Sequence, residues 1–183
     1  MRRKPIPLIA FTGGMQSGKT TAAKGFRKNL GFALYSFADP IRKVMRALGV
    51  PNKNLNSDKD LVIPEFGASA RWMMQSFGTE WGRTLINDRI WLDMMSRRLL
   101  TARKEGKPVV IDDVRFDNEA ELVLQQKGIV IKLERGDAPT NAHESEMGVS
   151  DGFVTIVIEN EGSVTDLYTS TEEIAHDGSL LPR

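Results

Sequence analysis

Short apolar runs recur along the chain, and each is stopped by glycine, proline or acid: Leu8 to Thr12, Phe32 to Phe37, Pro108 to Ile111, Ile129 to Leu133 and Phe153 to Ile158. They are apolar throughout rather than alternating, which is how strands buried on both faces read. Between them lie stretches of helical character: Thr20 to Leu30, Asp39 or Pro40 to Leu48, Ala68 to Gly82, Asp88 to Lys104, Asn118 to Gln126 and a last one from Ser163. Gly31 and Gly128 supply stops, Pro40 suits a first turn, and Asn87 or Asp88 supplies a cap. Gly49 to Gly67, rich in Asn, Asp, Lys and Pro, reads as an exposed excursion, and Gly136 to Gly148 as a polar flap. The tail from Asp177 is expected to fray. Strand–helix alternation predicts an α/β fold: a three-layer sandwich with a five-stranded, mainly parallel sheet and helices on both faces. Ligands of such sheets bind at the carboxyl ends of the strands, and the polar motifs after the first four runs would converge on that edge.

Composition narrows the partners. The 183 residues suit one compact domain, 1–183, with 40% apolar and 27% charged positions. Lys and Arg number 25 against 24 Asp and Glu, a net charge of +1, so no bulk basic field invites stable nucleic-acid binding. Without cysteine there are no disulfides or thiolate metal sites, which suits a reducing cytosol. The basic start Met1 to Lys4 has only the short run Leu8 to Phe11 behind it, and no segment approaches the ~20 apolar residues a bilayer span requires. A soluble, cytoplasmic protein without a membrane partner is expected.

One motif carries the chemistry. Gly13-Gly14-Met15-Gln16-Ser17-Gly18-Lys19-Thr20 matches G-x-x-x-x-G-K-[ST] without a gap, after a strand and before a helix. Glycines let the backbone curl so that successive N–H groups face an anion, and the following helix aims its positive end at the same point. Lys19 would reach the β- and γ-phosphates of a nucleoside triphosphate, and the Thr20 hydroxyl would hold Mg²⁺. The fold expected is therefore that of the P-loop NTPases. Asp112 and Asp113 end the third strand, where a carboxylate supports the metal. Alternation sends the two side chains to opposite sides, so one of them faces the site, and spacing does not choose which.

Phosphoryl transfer crowds negative charge, and the planar fork of arginine meets phosphate oxygens bidentately. Arg42, Arg71, Arg83, Arg115 and Arg135 stand near the expected edge. Arg71 and Gln75 share one helix face, which Thr79 continues if the helix survives Gly78. Asp39 is either a helix cap or a residue that orients the acceptor. Trp72, Trp81 and Trp91, with Met73, Met74, Met94 and Met95, read first as core, with Trp91 or Phe77 as a stacking surface for a base. Trp72 or Trp81 on a shared surface would allow a homodimer. His143-Glu144-Ser145-Glu146 is weak as a metal cluster and reads as flap contacts or solvated charge.

Taken together, these residues resemble a family. Ser36-Phe37-Ala38-Asp39-Pro40-Ile41-Arg42-Lys43 is similar to the second-strand motif of bacteriophage deoxynucleoside monophosphate kinases. Arg71-x-x-x-Gln75-x-x-Gly78-Thr79-Glu80-x-x-Arg83, followed by Trp91, resembles their helical acceptor region. Asp112-Asp113-Val114-Arg115-Phe116-Asp117-Asn118-Glu119-Ala120 resembles their third-strand signature, and Arg135 with His143 to Glu146 their flap. The resemblance runs from about Pro7 to Glu146 and implies ATP as donor, Mg²⁺, and a deoxynucleoside monophosphate as acceptor. It implies an acceptor-binding region over about 38–104 and a flap over about 135–148. By the same likeness Gly13 to Thr20 and Thr21 bind ATP, Arg42, Arg71 and Arg115 the acceptor phosphate, and Thr79 and Glu80 shape the acceptor pocket. Asp39, Gln75, Arg83, Trp91 and Glu119 are placed at the acceptor too. Arg135 closes on the transferring phosphate, so Lys19, Arg135, Arg115 and Asp39 form the implied catalytic set. Such an enzyme would work in a host cytoplasm if phage-encoded.

Two other readings share the loop. One is a P-loop kinase of another small metabolite, such as dephospho-coenzyme A, against which Gly78-Thr79-Glu80 speaks. The other is a nucleotide-gated NTPase or binding module. No guanine-reading Asn-Lys-x-Asp occurs, since Asn52-Lys53-Asn54 is followed by Leu55.

Overall fold

The computed structural model describes residues 7–136 and 148–176. They belong to two compact units, one built from Met1–Ser36 and Met95–Arg183, the other from Phe37–Met94.

The first unit is built on a five-stranded sheet. Its strands are β1 (Leu8–Thr12), β2 (Ala33–Tyr35), β5 (Val109–Ile111), β6 (Ile129–Glu134) and β7 (Ile156–Glu159), in the order β2-β5-β1-β6-β7. Every pairing is parallel, with Ala10 opposite Ile111 on one side and Val130 on the other. The β1 residues are all buried because both faces are covered. On one face Ile9, Phe11, Val110, Ile129, Ile131 and Leu133 form a core with Ala22, Ala23 and Phe26 of α1 (Lys19–Leu30) and Leu167 and Ile174 of α7 (Val164–His176). Phe26 meets Phe11 and Phe32 edge-on, with centroids 5.7 and 5.1 Å away. On the other face lies α6 (Asp117–Gln125), where Val123 and Leu8 both crowd the Cα of Gly128. The expected sandwich is the observed one.

The last strand departs from expectation. The apolar run from Phe153 begins with a 3₁₀ turn, Asp151–Phe153, and pairs only from Ile156. β7 is an edge strand whose burial alternates, so an apolar sequence here does not mean two covered faces.

The second unit holds α2 (Asp39–Ala47), α3 (Asn52–Asn56), a hairpin of β3 (Val62–Ile63) and β4 (Ala68–Ser69), and α4 (Ala70–Ser76). It also carries the excursion, Gly49 to Gly67, expected to be exposed. That segment is organised: Leu55 and Ile63 are buried, and Val62 pairs with Ser69. Ser69 accepts the Trp72 N–H and so caps α4. The single helix expected over 68–82 becomes α4 followed by a π-helical segment, Phe77–Ile86. Trp91, next to the start of α5 (Ile90–Lys104), explains the change. Its indole ring lies over Gly82, where an added Cβ would come within 2.6 Å, and its Nε1 donates to the Gly78 carbonyl at 2.7 Å. That carbonyl is the one an α-helix would give to the Gly82 N–H, so the indole competes for it. Trp91 is the core residue of the three tryptophans, at 6% exposure. Trp72 and Trp81, expected in the core, are 62% and 40% exposed.

Candidate active site

The turn from β1 into α1 curls through left-handed conformations at Gly13 (φ 130°), Gln16 (φ 63°) and Gly18 (φ 102°). Gly13 tolerates no side chain, since a Cβ there would lie 2.2 Å from the Leu133 carbonyl oxygen. Gly18 stands at the N-cap of α1 and offers no side chain to the first turn, which also lacks acidic residues. The opening N–H groups of α1 are thus left to an anion. The Lys19 ammonium folds back on the loop, donating to Gly13 O at 2.8 Å, to Gly14 O and to Ser17 Oγ at 3.3 Å.

Beside the loop, Thr20 Oγ1 donates to Asp112 Oδ2 at 3.2 Å, and Ser36 Oγ donates to Asp112 Oδ1. Both Asp112 and Asp113 are buried, and it is Asp112 that reaches Thr20. Arg98, stacked 4.1 Å over the Tyr35 ring, donates to the Ser36 carbonyl at 3.1 Å and so fixes the strand end that carries Ser36. Sequence reasoning gave Ser36 no role and did not single out Arg98. Nor did it single out Asn160, whose Nδ2 donates to Ser17 O at 2.9 Å.

Glu119 accepts the Arg115 and Phe116 N–H groups at 2.8 and 3.3 Å, which holds the turn into α6 and accounts for its burial without a ligand. Arg135 is exposed and lines a cavity of about 450 Å³ with Gly14, Lys132, Leu133, Gly136 and the carboxylates Glu134, Glu159 and Glu161. Hydrogen bonds to Glu134 and then Asp151 raise the pKa of Lys132 above its usual value. Glu161 accepts the Gly136 N–H at 2.8 Å, tying the end of β6 to the turn after β7. His143, Glu144, Ser145 and Glu146 lie outside the described residues, as does most of the flap.

The remaining expected residues fall in the second unit. Asp39 is the first residue of α2 rather than its cap, which is Ala38, and sits 3.7 Å from Arg42 Nη1. Arg71 forks onto Asp60, with Nη2 3.3 Å from Oδ2, and this bond lowers the Asp60 pKa. Gln75, one turn on, has its Nε2 buried without a hydrogen-bond partner among the described residues. The π segment carries Thr79, Glu80 and Arg83, the last donating to the Asp88 carbonyl at 3.3 Å. Phe77 stacks on Trp81 at 4.3 Å, while Trp91 is occupied by Gly78 and Gly82.

A parallel sheet whose first strand runs into a glycine cradle, with lysine, threonine and a strand-end aspartate around it, defines a P-loop kinase fold. Solved structures agree. A dephospho-CoA kinase from Campylobacter jejuni matches with a TM-score of 0.54 over 93% of this chain and 96% of that one, at 13% identity. An unliganded sugar kinase from Janibacter gives 0.55 over 98% and 100%, at 11% identity. Identities this low establish the fold alone.

Sequence relatives are more specific. A family model for deoxynucleotide monophosphate kinase matches residues 53–171. A protein of Acanthamoeba polyphaga mimivirus, described as a candidate deoxynucleotide monophosphate kinase, is 32% identical over 95% of this chain and 98% of its own length. The deoxynucleoside-5'-monophosphate kinase of Escherichia phage T5 is 29% identical over 61% of this chain and 47% of its own. The chain belongs to the deoxynucleotide monophosphate kinase family.

Proposed function

We propose that the protein transfers the γ-phosphate of ATP to a deoxynucleoside monophosphate, giving a deoxynucleoside diphosphate and ADP. The observation that carries this reading is the Lys19–Thr20–Asp112 cluster on the glycine turn of a chain from this family.

In the proposed reaction an oxygen of the acceptor phosphate attacks Pγ in line, and the bond from Pγ to the β–γ bridging oxygen breaks. The acceptor phosphate is already ionised at neutral pH, so no side chain has to take a proton, and Asp39 orients rather than deprotonates. Lys19 exchanges its loop carbonyls for the β- and γ-phosphates, and the loop and α1 N–H groups receive the oxygens. Thr20 and Asp112 are the residues that would hold Mg²⁺. Hard oxygen donors 3.2 Å apart, one of them a carboxylate, suit an ion that takes one or two protein ligands besides phosphates. When bound, the ion neutralises charge on the donor phosphates.

Arg115 and Arg135 supply further positive charge to the transferring group. The cavity beside Gly14 and Arg135 is large enough for the donor's base. Arg42 and Arg71 take the acceptor phosphate, with Arg71 giving up the Asp60 carboxylate for it. Gln75 offers the acceptor an amide donor that the described protein does not satisfy. Thr79, Glu80 and Arg83 complete the acceptor side. The enzyme works as a soluble protein on free nucleotides; no helix among the described residues is long and apolar enough to cross a membrane.

Incubation with MgATP and each of the four common deoxynucleoside monophosphates, then with base-modified ones, tests the reading. Formation of a diphosphate from at least one is expected. No product from any of them would overturn it.

A further inference from the structure

Asn160 lies beyond the run of family-like motifs, yet it touches the phosphate loop. It follows β7 and is 6% exposed. Its backbone N–H donates to Glu134 O at 2.7 Å, which pins it to the end of β6. Its side-chain Nδ2 then donates to the carbonyl of Ser17 at 2.9 Å, a buried bond across 143 residues. Gly18 accommodates this contact: a Cβ there would stand 2.5 Å from Asn160 Nδ2 and 3.2 Å from Leu167 Cδ2.

The consequence follows from peptide geometry. In a trans peptide the C=O of one residue and the N–H of the next point in opposite directions. Holding the Ser17 carbonyl toward Asn160 therefore turns the Gly18 N–H the other way, away from the β7–α7 turn. A lone Gly18 peptide has little of its own to resist a flip, because glycine accepts both orientations. Within the loop, the hydrogen bond from Ser17 N–H to Gly14 O is long at 3.3 Å.

We propose that Asn160 is a positioning residue for the donor phosphates, locking the Ser17–Gly18 peptide so that the Gly18 N–H faces the anion. The proposal rests on the reading of Gly13 to Thr20 as a triphosphate cradle. It adds that the C-terminal segment builds that cradle from behind.

The test uses the full chain and inorganic triphosphate with Mg²⁺, which probes the cradle without a base. Wild-type protein is expected to bind it, and absence of binding would sink the cradle reading itself. In Asn160→Ala and in the isosteric Asn160→Leu, triphosphate affinity should fall about tenfold, the scale of one lost hydrogen bond. The KM for ATP should rise in step, while the KM for the acceptor stays within about twofold. Unchanged triphosphate affinity in folded variants overturns the proposal, as does an equal rise in both KM values. If neither variant folds, proton exchange of the Asn160 side-chain amide in wild-type protein decides. Protection before and after triphosphate addition supports the lock, and exchange at the solvent rate overturns it.

Discussion

Thr20 and Asp112 stand 92 residues apart in the chain and 3.2 Å apart in space. The sheet brings them together: β1 and β5 are parallel neighbours, so the loop leaving one and the acids leaving the other emerge side by side. Two acids follow β5, and Asp112 has one oxygen on Thr20 and the other on Ser36. Asp112→Asn should lower kcat on the order of 100-fold at saturating nucleotide, and its activity should demand more magnesium. Asp113→Asn should cost less than about tenfold. Magnesium titrations of both variants check this, and a larger loss at Asp113 would reverse the assignment.

Lys19 lies on the loop carbonyls that its ammonium would leave for phosphate. Lys19→Ala removes the single ammonium of the cradle and should reduce transfer by at least about 100-fold while the fold persists. A coupled ADP-release assay beside a thermal melt separates the two effects. Near-wild-type turnover would mean that the turn does not grip the transferring phosphate.

How far these features were legible in the sequence depends on how local their causes are. The phosphate loop was readable because its glycines, lysine and threonine are contiguous, and the parallel sheet because strands covered on both faces stay apolar throughout. The π-helical segment was not readable, since it depends on Trp91 reaching back to Gly78, thirteen residues earlier. The hairpin at Val62 and Ser69 hid within a polar stretch because two-residue strands carry no period. Asn160 was invisible for the same kind of reason: an asparagine in a turn reads as turn chemistry until its partner is seen. β7 misled in the opposite way, an apolar run that occupies an edge.

Arg71 and Asp60 form a testable ion pair. The guanidinium's hydrogen bond holds the Asp60 carboxyl below its usual range, with its charge a lesser cause and burial opposing. A carboxyl whose folded pKa is depressed contributes stability above its unfolded pKa, near 4, and loses it as pH falls through the folded value. NMR titration should show Asp60 protonating at lower pH than an ordinary aspartate, and Arg71→Ala should move it back up. The same substitution should raise the KM for the acceptor by about tenfold or more and leave the KM for ATP within about twofold. Asp60→Ala, by contrast, should leave the acceptor KM unchanged or lower it, because the phosphate no longer competes with a carboxylate. A rise in acceptor KM in Asp60→Ala would mean that the pair acts as one unit.

Trp91 supplies both a surface and a donor to the π segment. Its ring covers Gly82, and its Nε1–H meets the Gly78 carbonyl at 2.7 Å in a buried setting. Trp91→Phe keeps much of the apolar contact and removes the donor, leaving a buried carbonyl to share one fewer partner. The expected loss is about 1–3 kcal/mol, the cost of truncating a buried hydrogen bond together with part of a ring. Gly82→Ala should be at least as damaging, since its Cβ would stand 2.6 Å from a ring held in place by that same bond. The two effects share one contact, so the double variant should lose less than the sum of the singles. Chemical denaturation of the four proteins measures this coupling. Strict additivity would show that the ring and the glycine do not depend on one another and would remove the explanation offered for the π-helical turn.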